Sequence, residues 1–132
     1  MTVKLLIVEN DRTFRVHLML HLRQAAFEVL ESGQDGDCMA LMQAQAVDVV
    51  VLSLSGLKRE GLSLLQFIKK NHPRTEVITI TGPNQVDLSI EGMKLGAFDD
   101  FLIPFELDSL IGSIRAAYRK KTENMTTKGG CQ

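Results

Sequence analysis

Five short apolar runs alternate with longer segments of helical periodicity in this 132-residue chain, and this alternation limits the fold more than any other feature. The runs span residues 3–8, 27–30, 48–53, 76–81 and 99–103. The run "VVVLS" is typical of a strand that is buried on both faces, because Val and Leu follow one another without polar alternation. Each crossover between parallel strands is right-handed. Five strand–helix units therefore predict an α/β fold with helices on both faces of one parallel sheet.

The segments between the runs have the spacing of amphipathic helices. In the first segment, Asn10 and Asp11 are suitable N-caps, and Phe14, Leu18 and Leu22 form one apolar stripe. Further helices are predicted around residues 39–42, around 62–71, from near 83 to 96, and from 107 to about 120, with loops at 32–37 and 54–61. Residues 1–120 are therefore predicted to form one domain, and the polar residues 121–132 a disordered tail or linker.

Composition and charge exclude several classes of function. The formal net charge is -1 and the hydrophobic content is 45%, which are values of an ordinary globular domain. Neither suggests a surface for nucleic acid or for an anionic membrane. The first apolar stretch, "LLIV", is too short for a signal peptide or a membrane span. Cys38 and Cys131 do not make a disulfide framework. We therefore expect a cytoplasmic protein without direct contacts to nucleic acid or membrane.

Four motifs, in order along the chain, resemble the receiver domain of two-component response regulators. They are "LLIVEND" followed by Arg15, "VDVVVLSLSGLKREG" ending at Gly61, "EVITITG" with Thr81, and "LGAFDDFLIPF" with Pro104. The resemblance covers about residues 3–119. It implies a flavodoxin-like (βα)5 fold, which is a doubly wound parallel sheet with strand order 2-1-3-4-5. It also implies a cis peptide bond before the proline.

The resemblance also assigns positions in a phosphorylation pocket, where this chain departs from the family pattern. Receivers carry a phosphoryl-accepting Asp where this chain has Ser53, and a Lys where it has Ile103. They often carry a Tyr or Phe switch where this chain has Asp100. Two acidic residues of the family, the second of which ligates magnesium, correspond to Glu9 and Asn10. The predicted pocket residues are Glu9, Asn10, Asp11, Thr81, Ile103 and Pro104.

The chemistry of these substitutions argues against catalysis in the pocket. The hydroxyl of Ser53 is a weak nucleophile without an adjacent base, and no histidine is placed to serve as one. Ile103 cannot neutralise phosphoryl oxygens, but it suits a pocket without the acceptor carboxylate, since an unpaired buried lysine is costly. We therefore expect no catalytic residues and no cofactor. Magnesium is expected to bind weakly, if at all, through Glu9, Asn10 and Asp11.

Simpler structural roles compete with each of these assignments. Ser53 can bond to the loop that follows it, as serines at strand ends often do. The polar residues 9–11 can form only a helix N-terminus, where anions are favoured. His17 and His21 have i, i+4 spacing on the first helix, but two ligands alone make a weak metal site.

Two functions remain open at this point. The first is an atypical receiver domain that acts without phosphorylation as a regulatory protein-interaction module and is not an enzyme. Its partner, or a second copy of the chain, would bind the surface made by the fourth predicted helix, the fifth strand and the last helix, which the family commonly uses. A histidine kinase or an output domain is a candidate partner. The charged residues predicted there are Asp87, Glu91, Lys94, Asp108, Arg115 and Arg119.

The second function is a receiver that accepts a phosphoryl group on Ser53 or Ser55 through chemistry supplied by a partner. A third class, the serine hydrolases, is excluded by the sequence. Their nucleophile elbow requires G-x-S-x-G, and the residues around Ser53 read "VLSLS".

Overall fold

The computed structural model describes residues 2–33 and 35–130, and the side chains of residues 35–37 and 124–130 are outside that description. The strands are β1 (Lys4–Val8), β2 (Glu28–Ser32), β3 (Val49–Ser53), β4 (Glu76–Thr81) and β5 (Asp99–Leu102). The helices of the described residues are α1 (Arg12–Gln24), α2 (Asp35–Ala44), α3 (Leu54–Leu57), α4 (Arg59–Asn71), α5 (Val86–Lys94) and α6 (Leu107–Gly130).

The strands form one parallel sheet in the order β2-β1-β3-β4-β5, as the family resemblance implied. Every residue of β3 is buried, which accounts for its unbroken apolar run. In the pairing of β4 with β5, Thr79 lies opposite Asp100 and Thr81 lies opposite Leu102. Because the strands are parallel, the carboxyl ends of β1, β3, β4 and β5 lie at one edge of the sheet, where ligand sites form in folds of this kind.

Two apolar cores lie on opposite faces of the sheet. On one face, helices α2 to α5 pack against strand residues that include Leu6 and Val50. On the other face, α1 and α6 pack against strand residues that include Leu5 and Val49. Successive strand residues alternate between the faces, so neighbours in the sequence contribute to different cores.

The segment after β3 differs from the predicted loop. Residues 54–57 form the short helix α3, and α4 begins at Arg59. Lys58 separates the two helices and has a φ of 55°, in the left-handed region. Leu54 and Leu57 are buried, so this single turn contributes to the core. A helix of one turn shows no periodicity in a sequence, and the prediction of a loop was therefore wrong.

Helix α5 begins later than the sequence predicted. Its first residue is Val86, whereas Pro83 was expected to lie in the first turn. Gln85 Oε1 accepts a hydrogen bond from Gly82 N at 2.7 Å, and Gln85 N donates to Gly82 O at 3.1 Å. These bonds hold residues 82–85 in a turn before the helix can start.

Helix α6 ends later than predicted. The sequence placed its end at about Lys120, but the helical backbone continues to Gly130. Lys121 Nζ forms an ion pair with Asp48 at 2.5 Å, which attaches the extension to the residue before β3. The division of the chain into a domain of residues 1–120 and a disordered tail or linker of residues 121–132 stays a prediction.

Two smaller expectations concern the proline and the cysteines. The peptide bond between Ile103 and Pro104 is cis, as the resemblance implied. Cys38 is buried in the apolar core, and Cys131 lies outside the described residues.

The loop predicted at residues 32–37 is shorter than expected, because Asp35 already belongs to α2. Residue 34 is outside the described residues.

Candidate functional site

The hydroxyl of Ser53 lies at the carboxyl end of β3 and caps the next helix. The residue is 1% exposed, and its Oγ accepts a hydrogen bond from Gly56 N at 3.3 Å. Ser53 is therefore the N-cap of α3, which is the local structural role that the sequence left open.

An open cleft of about 410 Å³ lies next to Ser53, between the end of β1, α3 and the residue that follows β5. Its lining residues are Glu9, Asn10, Asp11, Phe14, Ser55, Gly56 and Ile103. The structure thus brings together the predicted pocket residues at 9–11 and 103. Ser53 does not line the cleft, because α3 folds over it and presents Ser55 instead. The predicted pocket lacked Phe14, which lies in the first turn of α1, and Gly56, whose placement depends on the missed helix α3.

The acidic residues of the cleft are bonded to the backbone around them. Glu9 is 2% exposed, and its Oε2 accepts a hydrogen bond from Asp11 N at 2.9 Å. Asp11 is the N-cap of α1, with Oδ1 accepting from Phe14 N at 3.1 Å. Arg15 Nη1 donates to Glu9 O at 2.6 Å, which brings a positive charge to the backbone behind the cleft. The helix N-terminus role proposed for these residues is therefore present in the structure.

Asn10 closes one side of the cleft by packing on Gly56. Its Nδ2 donates to Gly56 O at 3.2 Å. A Cβ atom at position 56 would lie 2.0 Å from Asn10 Oδ1 and 3.0 Å from Glu9 Oε2. Glycine at position 56 therefore permits this close contact, and any larger residue would have to move the amide away.

The donor atoms at the cleft fit magnesium poorly. Mg²⁺ prefers an octahedral shell of oxygens with one or two carboxylates. Asp11 Oδ1 is used as a helix cap, and one oxygen of Glu9 accepts a backbone hydrogen bond. Within the part of the chain that the structure describes, no three His, Cys, Asp or Glu residues are grouped to hold a metal ion. Neither role proposed below passes through a metal.

Thr81 and Asp100 contact each other but do not face the cleft. The carboxylate of Asp100 accepts hydrogen bonds from Thr79 Oγ1 at 2.6 Å, Thr81 Oγ1 at 3.0 Å and Ser89 Oγ at 2.7 Å. Both threonines are fully buried. The hydroxyl expected in the pocket is thus engaged by the residue at the switch position, and Ser89 on α5 joins them. Ser89 was not among the predicted site residues.

A separate groove between α1 and the start of α6 is lined by Pro104, His17 and His21. This groove has a volume of about 280 Å³ and includes Phe14, Ile103 and Phe105 in its wall. Both histidines are exposed, and their rings stack with centroids 6.4 Å apart. His21 Nδ1 lies 2.8 Å from the carbonyl oxygen of His17, so that nitrogen bonds to the helix itself.

An apolar patch is exposed on α5 and β5. Val86, Ile90 and Met93 lie at helical spacing on one side of α5, and they are 61%, 52% and 44% exposed. Leu102 on the edge strand β5 is 53% exposed. We call these four residues the α5–β5 patch.

The fold, the strand-end cleft and the cis peptide bond together define a receiver. The family model of the response regulator receiver domain matches residues 5–115. The chain therefore belongs to the response regulator receiver domain family.

Its relatives include longer regulators. The chain is 30% identical over 126 residues to the transcriptional regulatory protein PmrA of Pectobacterium parmentieri, with 96% of this chain and 57% of that protein covered. It is 27% identical over 128 residues to an NtrX-like response regulator of Rickettsia felis, with 93% of this chain and 27% of that protein covered. The chain thus spans only about a quarter to a little over half the length of these relatives.

Solved structures resemble the chain throughout its length. A response regulator receiver domain protein from Clostridium thermocellum matches with a TM-score of 0.85 at 27% identity, covering 91% of this chain and 97% of that one. NtrX from Brucella abortus matches with a TM-score of 0.89 at 24% identity, covering 98% of this chain and 29% of that one. The second likeness supports the fold alone. No helix among the described residues has both the length and the apolar character to cross a membrane.

Proposed function

We propose that this receiver domain regulates a partner protein by binding, without accepting a phosphoryl group and without acting as an enzyme. The observation that carries the proposal is the hydrogen bond from Gly56 N to the buried Ser53 Oγ. Phosphoryl transfer would require this hydroxyl to leave its cap, reach the donor and give its proton to a base. In the described structure, no histidine or carboxylate accepts a hydrogen bond from Ser53.

The charge of the cleft supports the same proposal. Ile103 is partly buried and presents an apolar side chain to the cleft where the family resemblance expects a lysine. Phosphoryl groups are bound by cations and by backbone amides that point at their oxygens. The charged side chains that line this cleft are the carboxylates of Glu9 and Asp11, which repel a phosphoryl donor.

The partner surface in this proposal consists of α5, β5 and α6, and we call it the α5–β5–α6 surface. The α5–β5 patch supplies its apolar centre, and the exposed charged residues Asp87 and Lys94 lie on the same helix, with Asp108 at the start of α6. Arg115 and Arg119, which were expected on this surface, lie elsewhere on α6: Arg115 lies over the Phe27 ring at 5.7 Å, and both line a groove with Val3. Glu91 is bonded to Arg59 of α4 at 3.2 Å. An apolar centre within a mixed-charge rim suits a protein partner better than nucleic acid.

The candidate partners follow from the family and from the lengths of the relatives. A second copy of the chain, an output domain of a longer regulator and a histidine kinase all remain within the proposal. Its cytoplasmic location stays a prediction.

Intact mass tests whether the chain accepts a phosphoryl group. The native chain is incubated with a small-molecule phosphodonor and magnesium, beside the Ser53→Asp, Ile103→Lys double variant. We expect no added phosphoryl group on the native chain and a gain by the double variant, because that variant restores an acceptor carboxylate and a cation. A phosphoryl group on the native chain that disappears with Ser53→Ala would overturn the proposal.

A matched pair of variants tests the partner surface. Ile90 on the α5–β5 patch and Leu20 on α1 are both 52% exposed. With a second copy as the partner, we expect Ile90→Glu to abolish concentration-dependent self-association in sedimentation analysis and Leu20→Glu to leave it unchanged. For an output domain or a kinase, the same pair is compared in a pull-down with that purified protein. Equal effects of the two variants in every assay would contradict this choice of surface.

One observation favours a second candidate function. Ser55 lines the cleft and is partly exposed, so a donor or a partner can reach its hydroxyl more easily than that of Ser53. A partner kinase that supplied a base could then phosphorylate Ser55. Phosphorylation in the presence of a kinase that is lost with Ser55→Ala and kept with Ser53→Ala would favour this function over the first.

A further inference from the structure

Strand β5 carries two consecutive carboxylates that bind different helices. Asp100 points to the face that α5 covers, and it accepts a hydrogen bond from Ser89 Oγ of α5 at 2.7 Å. Asp99 points to the opposite face, and its Oδ2 accepts from Ser113 Oγ of α6 at 2.9 Å. The opposite directions follow from the alternation of side chains along a strand. Each helix beside β5 is therefore attached to the strand by one hydroxyl–carboxylate bond.

The Asp100 end of this arrangement is extensively bonded. Besides Ser89, the carboxylate accepts from Thr79 and Thr81, which are fully buried in β4. Three hydroxyl donors thus satisfy this carboxylate, and among the described residues no cation forms an ion pair with it. Hydrogen bonds to an ionised group are stronger than those between neutral groups, so this cluster joins β4, β5 and α5 more firmly than neutral bonds of equal number.

The Asp99 end is bonded in a similar way on the α6 side. Asp99 Oδ1 accepts from Asp100 N at 2.8 Å, so both oxygens of the carboxylate have donors. Ser113 is 9% exposed, and its hydroxyl is turned toward the strand rather than toward water. The Asp99 carboxylate consequently attaches α6 to β5, next to Asp100, which attaches α5.

We propose that Asp99 and Asp100 act as a clamp that holds the α5–β5–α6 surface in one arrangement, and that Asp100 is its principal positioning residue. This inference rests on the proposed function, because it concerns the regulation of the same partner surface. Thr81 Oγ1 donates to Asp100 and is thereby withheld from the cleft. A structural change at the cleft can shift α5 through Thr81 only if the hydrogen bond from Thr81 to Asp100 breaks. The clamp therefore keeps the α5–β5–α6 surface in its partner-binding arrangement without a signal from the cleft.

Hydrogen–deuterium exchange measured by peptide mass spectrometry tests the clamp. The variants are Asp100→Asn, which removes the ionised acceptor, and Ser89→Ala, which removes only the bond to α5. Asp87→Asn is the matched control, because Asp87 is an exposed carboxylate on the same helix. We expect amides of residues 86–94 to exchange about tenfold faster in both clamp variants, the loss expected for one hydrogen bond to a charged group. Peptides from β1 and β3 should exchange at the native rate.

A conservative substitution separates positioning from general packing. Ser89→Thr keeps the hydroxyl and should restore slow exchange of α5, whereas Ser89→Ala should not. Equal α5 exchange in the native chain, Ser89→Ala and Asp87→Asn would overturn the inference. If Asp100→Asn speeds exchange throughout the chain, the comparison of Ser89→Ala with Ser89→Thr decides the matter. These outcomes are independent of the intact-mass result, so a phosphorylated native chain would reject the proposed function without deciding whether the clamp exists.

Discussion

Replacement of Ser53 by alanine tests whether the Ser53 hydroxyl has a structural role, because loss of a helix cap lowers the free energy of unfolding. In the structure, Ser53 Oγ caps α3 through Gly56 N at 3.3 Å. Removal of a serine N-cap costs about 1 kcal/mol, with a range of roughly 0.5–2 kcal/mol. Because the capped amide belongs to a partly exposed glycine, water can replace part of the lost bond, and we expect a cost near the middle of that range.

The assay is urea unfolding followed by circular dichroism. A loss of about 1 kcal/mol in the free energy of unfolding should lower the midpoint while the slope stays constant, since the folded and unfolded chains expose nearly the same surface as before. In a thermal scan, the same loss corresponds to a fall in Tm of about 3–5 °C for a domain of this size. The chain should remain folded at room temperature, because small domains have about 5–15 kcal/mol of stability.

Ser55→Ala is the matched control for this prediction. Ser55 lies two residues further along the chain, on the cleft side of α3, and it is not the residue that caps the helix. We expect its replacement to change the free energy of unfolding by less than about 0.5 kcal/mol, as for other surface substitutions. The capping argument would be refuted if Ser53→Ala were as stable as the native chain, or if Ser55→Ala cost as much.

Two further predictions test the cleft and the extension of α6. Gly56→Ala should cost about 0.5–1.5 kcal/mol in urea unfolding, because its Cβ would lie 2.0 Å from Asn10 Oδ1 and would displace the Asn10 amide from Gly56 O. Gly112→Ala, whose Cβ would meet no side chain or other element within 4 Å, should instead stabilise α6 by up to about 1 kcal/mol; equal effects of the two would contradict the close contact. Lys121→Ala should lose the ion pair with Asp48, and amides of residues 121–130 should exchange faster than in the native chain; unchanged exchange there would show that the pair does not hold the helix end.

The central strands β3 and β4 could be predicted because they are buried on both faces. A strand in the middle of a parallel sheet has no polar side, and its sequence is then a continuous apolar run, as in β3. β4 was located to the residue for the same reason, since Glu76–Thr81 is rich in β-branched residues and every position is buried. The order of the strands came from the family resemblance, because periodicity alone does not determine which parallel strands are neighbours.

The site was only partly predictable, because its residues were placed by contacts between elements. The family resemblance located Glu9, Asn10, Asp11 and Ile103 in the pocket, and all four line the cleft. Thr81 was not placed correctly, because its hydroxyl bonds to Asp100 within the fold instead of facing the cleft. For Ser53 the sequence left a bond to the following loop open, and the structure contains that bond.

The hydrogen bonds that Asp100 accepts from Thr79 and Thr81 can be predicted only when the register between β4 and β5 is known. Thr79 lies directly opposite Asp100 in the pairing of β4 with β5, and Thr81 lies two residues further on the same face. A register derived from the family alignment of these strands would have put the hydroxyls beside the carboxylate. The bond from Ser89 could not be found in this way, because it depends on how α5 packs against the sheet.

Compared with the family pattern, this chain lacks two charges at the cleft and has an additional carboxylate in β5. Where the resemblance expects an acceptor carboxylate and a lysine, the chain has Ser53 and Ile103, so neither charge is left without the other. Where it expects an uncharged aromatic switch, the chain has Asp100, whose charge is satisfied by three hydroxyls of β4 and α5. Asp100 is partly buried, and a carboxylate there without such donors would be costly. The hydroxyl that a phosphorylated receiver needs at the cleft is therefore the same one that Asp100 needs beneath α5, and Thr81 cannot serve both at once.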